Sequence, residues 1–143
     1  MSGAPAIEGG CRCGAVRYRA EGGPLWVSHC HCEECRRSSG APVSTFVGVR
    51  DTGFAFVAGT PGAYESSPEV VRKFCGACGT PLTYEAAVYP GEVHVMAGTL
   101  DRPETLAPER HVFVRERMPW LEMGDDLPRH DTLPRGVPRV PRS

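Results

Sequence analysis

Apolar and polar residues alternate over short stretches of this chain, and no long stretch repeats an apolar residue every three or four positions. Ala15-Val16-Arg17-Tyr18-Arg19-Ala20 predicts a strand with one buried face, because successive side chains of a strand point to opposite sides. Cys11 and Cys13, just before it, are expected to continue that strand and share a face. Further strands are expected over 25–30, 43–49, 54–57, 63–66, 70–74, 81–84, 93–97 and 111–114. Turns such as Gly22-Gly23-Pro24 and Gly59-Thr60-Pro61-Gly62 separate them. The one helical candidate is 33–39, with Gly40 as its C-cap and Pro42 preventing its extension. The fold class expected is mainly β, antiparallel, with a short helix after the central cysteine cluster.

From Gly124 the pattern changes. Leu127-Pro128, Leu133-Pro134, Val137-Pro138 and Val140-Pro141 alternate with Arg129, Arg135, Arg139 and Arg142. We expect one folded domain over 1–123 and an extended Pro/Arg-rich tail over 124–143, without a core of its own. Gly and Pro together make 31 of the 143 residues, which limits regular structure and core size, so a metal staple would help such a chain fold.

Charge narrows the partners. The formal net charge is -1 and the pI about 6.5, so no nucleic-acid binding is expected. No apolar run is long enough to span a membrane, and Met1-Ser2-Gly3-Ala4-Pro5 lacks the features of a signal peptide. A cytoplasmic, reducing setting is expected, in which seven cysteines point to metal rather than disulfides. Exposed strand edges leave a homodimer as an expectation.

The cysteines fall as Cys11-x-Cys13, Cys30-x-Cys32-x-x-Cys35 and Cys75-x-x-Cys78. A closed zinc site takes four ligands, whereas a catalytic one keeps three and an open position. The simplest division pairs Cys11 and Cys13 with Cys75 and Cys78 in a structural site, the glycines beside them allowing tight loops. Cys30, Cys32 and Cys35 then form an open catalytic site, for two Zn²⁺ per chain. Alternatives stay open. His29, His31 or Glu34 could close the second site, the cluster could be metal-free, Cys11 and Cys13 could join the central cluster, and Cys75 and Cys78 could be a redox dithiol. His29, Glu33 and Glu34 are candidate proton carriers, and Arg36 and Arg37 candidate carboxylate binders. Trp26, Phe46, Phe54, Phe56 and Phe113 are expected in the core. Trp120 is expected to pack the C-terminal segment, and His94 to face solvent or a partner strand. His31 is expected to pack or hydrogen-bond, and His111 has no expected place.

With these residues in view, the chain resembles the glutathione-dependent formaldehyde-activating (GFA) family, which includes centromere protein V. The resemblance rests on Gly10-Cys11-Arg12-Cys13-Gly14, Cys30-His31-Cys32-Glu33-Glu34-Cys35-Arg36 with Ser39-Gly40-Ala41-Pro42, and Phe74-Cys75-Gly76-Ala77-Cys78-Gly79-Thr80-Pro81-Leu82. Ala97-Gly98-Thr99-Leu100-Asp101 and His111-Val112-Phe113-Val114 with Pro119-Trp120 extend it. It implies a zinc-binding fold of antiparallel, tent-like β-sheets. It also implies carbon–sulfur lyase chemistry on S-hydroxymethylglutathione, with glutathione and an aldehyde as partners. By the family pattern, Cys11, Cys13, Cys75 and Cys78 correspond to the structural ligands, and Cys30, Cys32 and Cys35 to the catalytic ones. The rival class is a non-catalytic zinc-binding interaction module.

Overall fold

A computed structural model describes residues 4–138; Met1 to Gly3 and the tail residues 139–143, with Arg139 and Arg142, lie outside the described residues. The chain forms β1 (Ile7–Gly10), β2 (Arg17–Ala20), β3 (Trp26–Cys30), α1 (Glu33–Ser39), β4 (Ser44–Arg50) and β5 (Phe54–Ala58). It continues with β6 (Gly62–Ser67), β7 (Val70–Phe74), β8 (Pro81–Ala86), β9 (Glu92–Met96) and β10 (Arg110–Val112). The fold is mainly β, as expected, with one short α-helix.

The strands make two sheets. A small one has the order β1-β2-β5, and a large one the order β10-β3-β4-β9-β8-β7-β6. All neighbours are antiparallel except β10 and β3, which run parallel. The large sheet is covered on both faces at its centre. On one face Val27, Val47, Val49, Leu82 and Val95 pack against Ile7, Val16, Tyr18 and Ala20, the main core. On the other, Phe46, Val112 and the three central cysteines form a second apolar cluster.

Two expectations about strand ends are corrected. Cys11 and Cys13 do not lie in a strand, because β1 stops at Gly10 and β2 starts at Arg17. β1 was not apparent from the pattern, because Gly9 and Gly10 interrupt it. Gly9 is needed for close packing: a Cβ there would lie 2.3 Å from the Tyr18 hydroxyl and 2.4 Å from the Thr99 carbonyl. The expected strand 111–114 ends at Val112, because Phe113 takes a left-handed backbone, φ 56°.

The segment after Gly124 lies along the outer edge of β10. His111 N–H donates to the Pro128 carbonyl (2.9 Å), His130 N–H to the His111 carbonyl (2.9 Å) and Phe113 N–H to the Thr132 carbonyl (2.7 Å). Leu133 then packs against the second apolar cluster. Among the described residues, no helix is long and apolar enough to cross a membrane.

Candidate metal centres

Two similar loops build the first centre. Cys11 N–H bonds the Val16 carbonyl at 3.0 Å, and Cys75 N–H bonds the Thr80 carbonyl at 3.0 Å. Each loop turns through a glycine with positive φ, Gly14 and Gly79, both at 81°. The loops meet where Arg12 N–H donates to Thr80 Oγ1 (3.1 Å). Cys11 and Cys13 sulfurs lie 3.6 Å apart, and Cys13 and Cys75 sulfurs 3.8 Å. Tetrahedral zinc with Zn–S bonds of about 2.3 Å sets its sulfurs about 3.8 Å apart, whereas a disulfide needs about 2 Å. All seven cysteines are free, and this set is spaced for a metal. Cys13 is exposed and Cys78 half-buried; hydrogen bonds from the Thr80 hydroxyl and backbone bring the Cys78 pKa down to about 5.

The second centre forms where β3 runs into α1. Cys30 ends the strand, Cys32 is the helix N-cap and Cys35 lies in the first turn. Cys32 Sγ accepts the Cys35 N–H at 3.3 Å, so one ligand also caps the helix. Cys30 Sγ lies 3.4 Å from Cys32 Sγ and 3.7 Å from Cys35 Sγ, again close to tetrahedral spacing. All three are buried. Hydrogen bonds from Cys30 and Cys32, and the nearby Arg72 charge, hold the Cys35 thiol well below its ordinary range. Among the described residues no histidine or carboxylate joins these three sulfurs as a fourth ligand.

This second centre opens into a cavity of about 660 Å³. Strand register lays out its floor. Trp26 sits opposite Gly48, Gly48 opposite His94, His94 opposite Tyr84, and Tyr84 opposite Arg72. Gly48 makes room for the indole, since a Cβ there would lie 2.3 Å from the Trp26 ring. His94 stacks on Tyr84 with centroids 5.3 Å apart and meets Trp26 edge-on at 4.6 Å. Guanidinium groups end the row: Arg72 lies 4.8 Å over Tyr84, and Arg110 lies 5.4 Å over Trp26. Glu92 sits within 2.8 Å of His94 Nε2 and accepts from Trp26 Nε1 at 3.3 Å; the bond to His94 lowers its carboxyl pKa. Tyr89 lines the same space, its phenol pushed up to about 12 by burial. Leu133 and Val137 of the C-terminal segment complete the wall.

Of the residues expected to carry protons or bind carboxylates, Glu34 lines the cavity; His29, Glu33, Arg36 and Arg37 are not part of its lining. His29 contacts Thr45 Oγ1 at 2.7 Å, and burial lowers its pKa. Glu33 accepts from Arg37 Nε at 2.9 Å, and the Arg37 side chain is 72% exposed. His31 is buried and meets His111, Nε2 to Nδ1 at 2.9 Å, and His111 Nε2 donates to the Asp125 carboxylate at 3.0 Å. Burial, with the neighbouring His111, takes His31 down to about 4.

Two side-chain expectations are corrected. His94 is buried in the cavity floor, because β9 is central and both its faces are covered. Trp120 is 71% exposed rather than packing the C-terminal segment. Phe46 is buried, while Phe54, Phe56 and Phe113 are partly buried against the two apolar clusters. Arg72, Tyr84, Tyr89, Glu92 and Arg110 were not singled out in the sequence. A signal existed for Arg72, a cation inside the apolar stretch Val70-Val71-Arg72-Lys73-Phe74.

A Halomonas elongata protein named for a glutathione-dependent formaldehyde-activating enzyme is 29% identical over 126 residues, 82% of this chain and 80% of its own. An uncharacterized lyase of Schizosaccharomyces pombe is 34% identical over 80 residues, 56% of this chain and 58% of its own. A crystal structure of a Rhodobacter sphaeroides protein superposes with a TM-score of 0.56 at 25% identity, covering 66% of this chain and 87% of that one. The family model described as glutathione-dependent formaldehyde-activating enzyme matches residues 6–116, which take in both cysteine centres and most of the cavity floor, and the chain belongs to that family.

Proposed function

We propose that this protein is a zinc-dependent carbon–sulfur lyase acting on thiol–aldehyde adducts of the S-hydroxymethylglutathione type. In this reading Cys11, Cys13, Cys75 and Cys78 hold a structural zinc, and Cys30, Cys32 and Cys35 a catalytic one. The observation that supports it is the contrast in ligand number: four sulfurs form one set, while three form the other and line a cavity. Zinc held by three thiolates, when bound, supplies an electron-rich centre that favours a further thiolate over a carbonyl oxygen.

The protein's own groups supply placement and proton movement. The aromatic floor and the Leu133 wall exclude water and hold the adduct beside the cysteines. In cleavage, the carbon–sulfur bond breaks and its electron pair stays on sulfur. The adduct hydroxyl loses its proton as the aldehyde C=O forms; addition is the reverse. Among the groups first considered for this proton, Glu34 is the one in the cavity lining. His94, buried in the floor with its ring held by Glu92, is a second candidate.

The test is zinc content of the purified protein under reducing conditions, together with turnover of a glutathione–formaldehyde adduct. Two zinc ions per chain and turnover that vanishes in Cys32→Ser, with the fold kept, support the lyase. A Cys32→Ser protein that unfolds, or a wild type with two zinc ions and no turnover of any thiol–aldehyde pair, would move the reading to a zinc-binding interaction module. Glu34→Gln and His94→Asn then separate the two proton routes.

A further inference from the structure

Arg72 is 8% exposed. Its Nε donates to Ser66 Oγ at 3.1 Å, its guanidinium carbon lies over the Tyr84 ring, and its Nη2 points to Cys35 Sγ at 3.8 Å. No carboxylate pairs with it among the described residues, whereas Lys73, the next residue, has Glu85 at 3.3 Å. A guanidinium stays charged at any pH the fold survives, and a buried charge without a counter-charge is strongly unfavourable. The anion within reach is the sulfur cluster itself. Three thiolates and one divalent zinc sum to about -1, which one buried arginine balances.

We infer that Arg72 is the built-in counter-charge of the Cys30, Cys32 and Cys35 centre, a positioning residue that holds Cys35 and favours anionic sulfur there. The inference rests on the proposed reading of that centre as an open zinc site. It also gives Arg72 a part in substrate choice. A fourth, substrate-derived thiolate would raise the negative charge to about -2, and Arg72 halves what the cavity must carry. Ligands bringing a neutral sulfur or oxygen gain nothing from it. The bond to Ser66 and the contact with the Tyr84 ring hold the guanidinium in place, so its charge is positioned before any ligand arrives.

The test uses the full-length, zinc-loaded protein under reducing conditions, titrated with a chelator while zinc per chain is followed. In Arg72→Met the first zinc should be held as in wild type, while the second leaves at about 10–100-fold lower chelator concentration, the usual scale for losing a group that supports a metal ligand. Arg72→Lys keeps the charge and should fall between wild type and Arg72→Met. Cobalt substitution gives an independent readout, the part of the sulfur-to-cobalt charge-transfer band that Cys32→Ser removes, since the four-cysteine centre supplies the rest. That part should weaken in Arg72→Met and return in Arg72→Lys. Equal retention in all three proteins overturns the inference, and so does equal loss in Met and Lys, which would mark a packing role alone. If Arg72→Met does not fold, Arg72→Gln replaces it; should that also fail, a folded Arg72→Lys holding the second zinc supports the charge role, and an unfolded one overturns it. A wild type with two zinc ions and indifferent variants removes only the role of Arg72. A wild type with a single zinc, held by Cys11, Cys13, Cys75 and Cys78, removes the open-site reading and this role with it.

Discussion

Cys75 and Cys30 both mark the end of a strand, yet the chain leaves them in opposite ways. After Cys75 it turns back through Gly79 to β8, meeting its partner loop at the surface, and four sulfurs converge with Cys13 exposed. After Cys30 it enters a helix, three sulfurs converge, and all are buried against aromatic rings and a cation. Both sets have spacing suited to zinc. What differs is what surrounds them, and the difference teaches that ligand count and burial run in opposite senses here. The complete set joins two distant loops and leaves no room for another ligand. The incomplete set is sunk in a cavity where a further ligand would be enclosed.

The largest effect should come from exchanging one ligand in each set. Cys75→Ser opens the junction between the β1–β2 and β7–β8 loops, and a structural zinc is part of the folding free energy. We expect it to cost about 3 kcal/mol or more, lowering Tm by on the order of 10 °C, or to prevent folding. Cys32→Ser keeps a capping oxygen for the Cys35 N–H, so its thermal midpoint should fall much less while the second metal is lost. Equal thermal losses would erase the distinction between the two centres.

Next in size is Gly48→Val. The new side chain must displace the Trp26 indole in a covered sheet, which overpacks the floor at about 1–3 kcal/mol. Calorimetry should show that loss, and adduct turnover should fall through a higher KM, since the cavity shape changes while the cysteines stay. An unchanged KM would separate the floor from substrate binding.

Acid should act on the same floor. The bond to His94 puts the folded Glu92 pKa below its ordinary 4.5. The carboxylate therefore adds stability in full above pH 4.5, and loses it as pH falls through the lower folded value. Glu92→Gln should flatten that part of the pH–stability curve when compared with wild type. A parallel curve would mean the pair is not coupled to folding.

The smallest effect is expected outside the cavity. Arg37→Ala removes an exposed i,i+4 pair with Glu33, at most about 0.5 kcal/mol by thermal unfolding, and should leave adduct turnover unchanged. A turnover loss would bring Arg37 back to the substrate.

Much of this arrangement is legible locally. The helix 33–39 appears where its cap chemistry puts it, with Gly40 left-handed at φ 75°. The spacing within each cysteine motif is likewise legible, because it is set by a few adjacent residues, but which motifs meet was left open, and the structure brings Cys11 and Cys13 to Cys75 and Cys78. Other features depend on distant partners. His94 alternates with Val93 and Val95, but alternation does not reveal that a central strand is covered on both sides. Cys11 and Cys13 precede a run that looks extended, while the bond from Cys11 N–H to the Val16 carbonyl folds them into a turn. The parallel pairing of β10 carries no local signature at all, since β10 is only three residues long and takes its place from β3 on one side and the C-terminal segment on the other.

That last pairing has a consequence for the order of events at the ribosome. Synthesis proceeds from the N-terminus, and domains gain structure as they emerge. All seven cysteines and the other nine strands of the described residues are made before β10, and the C-terminal segment that lies along its outer edge comes later still. Metal could thus be captured by a nascent chain whose cavity still lacks Leu133 and Val137. The reactive sulfurs would be assembled first and enclosed last, so a chain stalled or cut near residue 120 would display an uncovered thiolate centre to every electrophile in its surroundings.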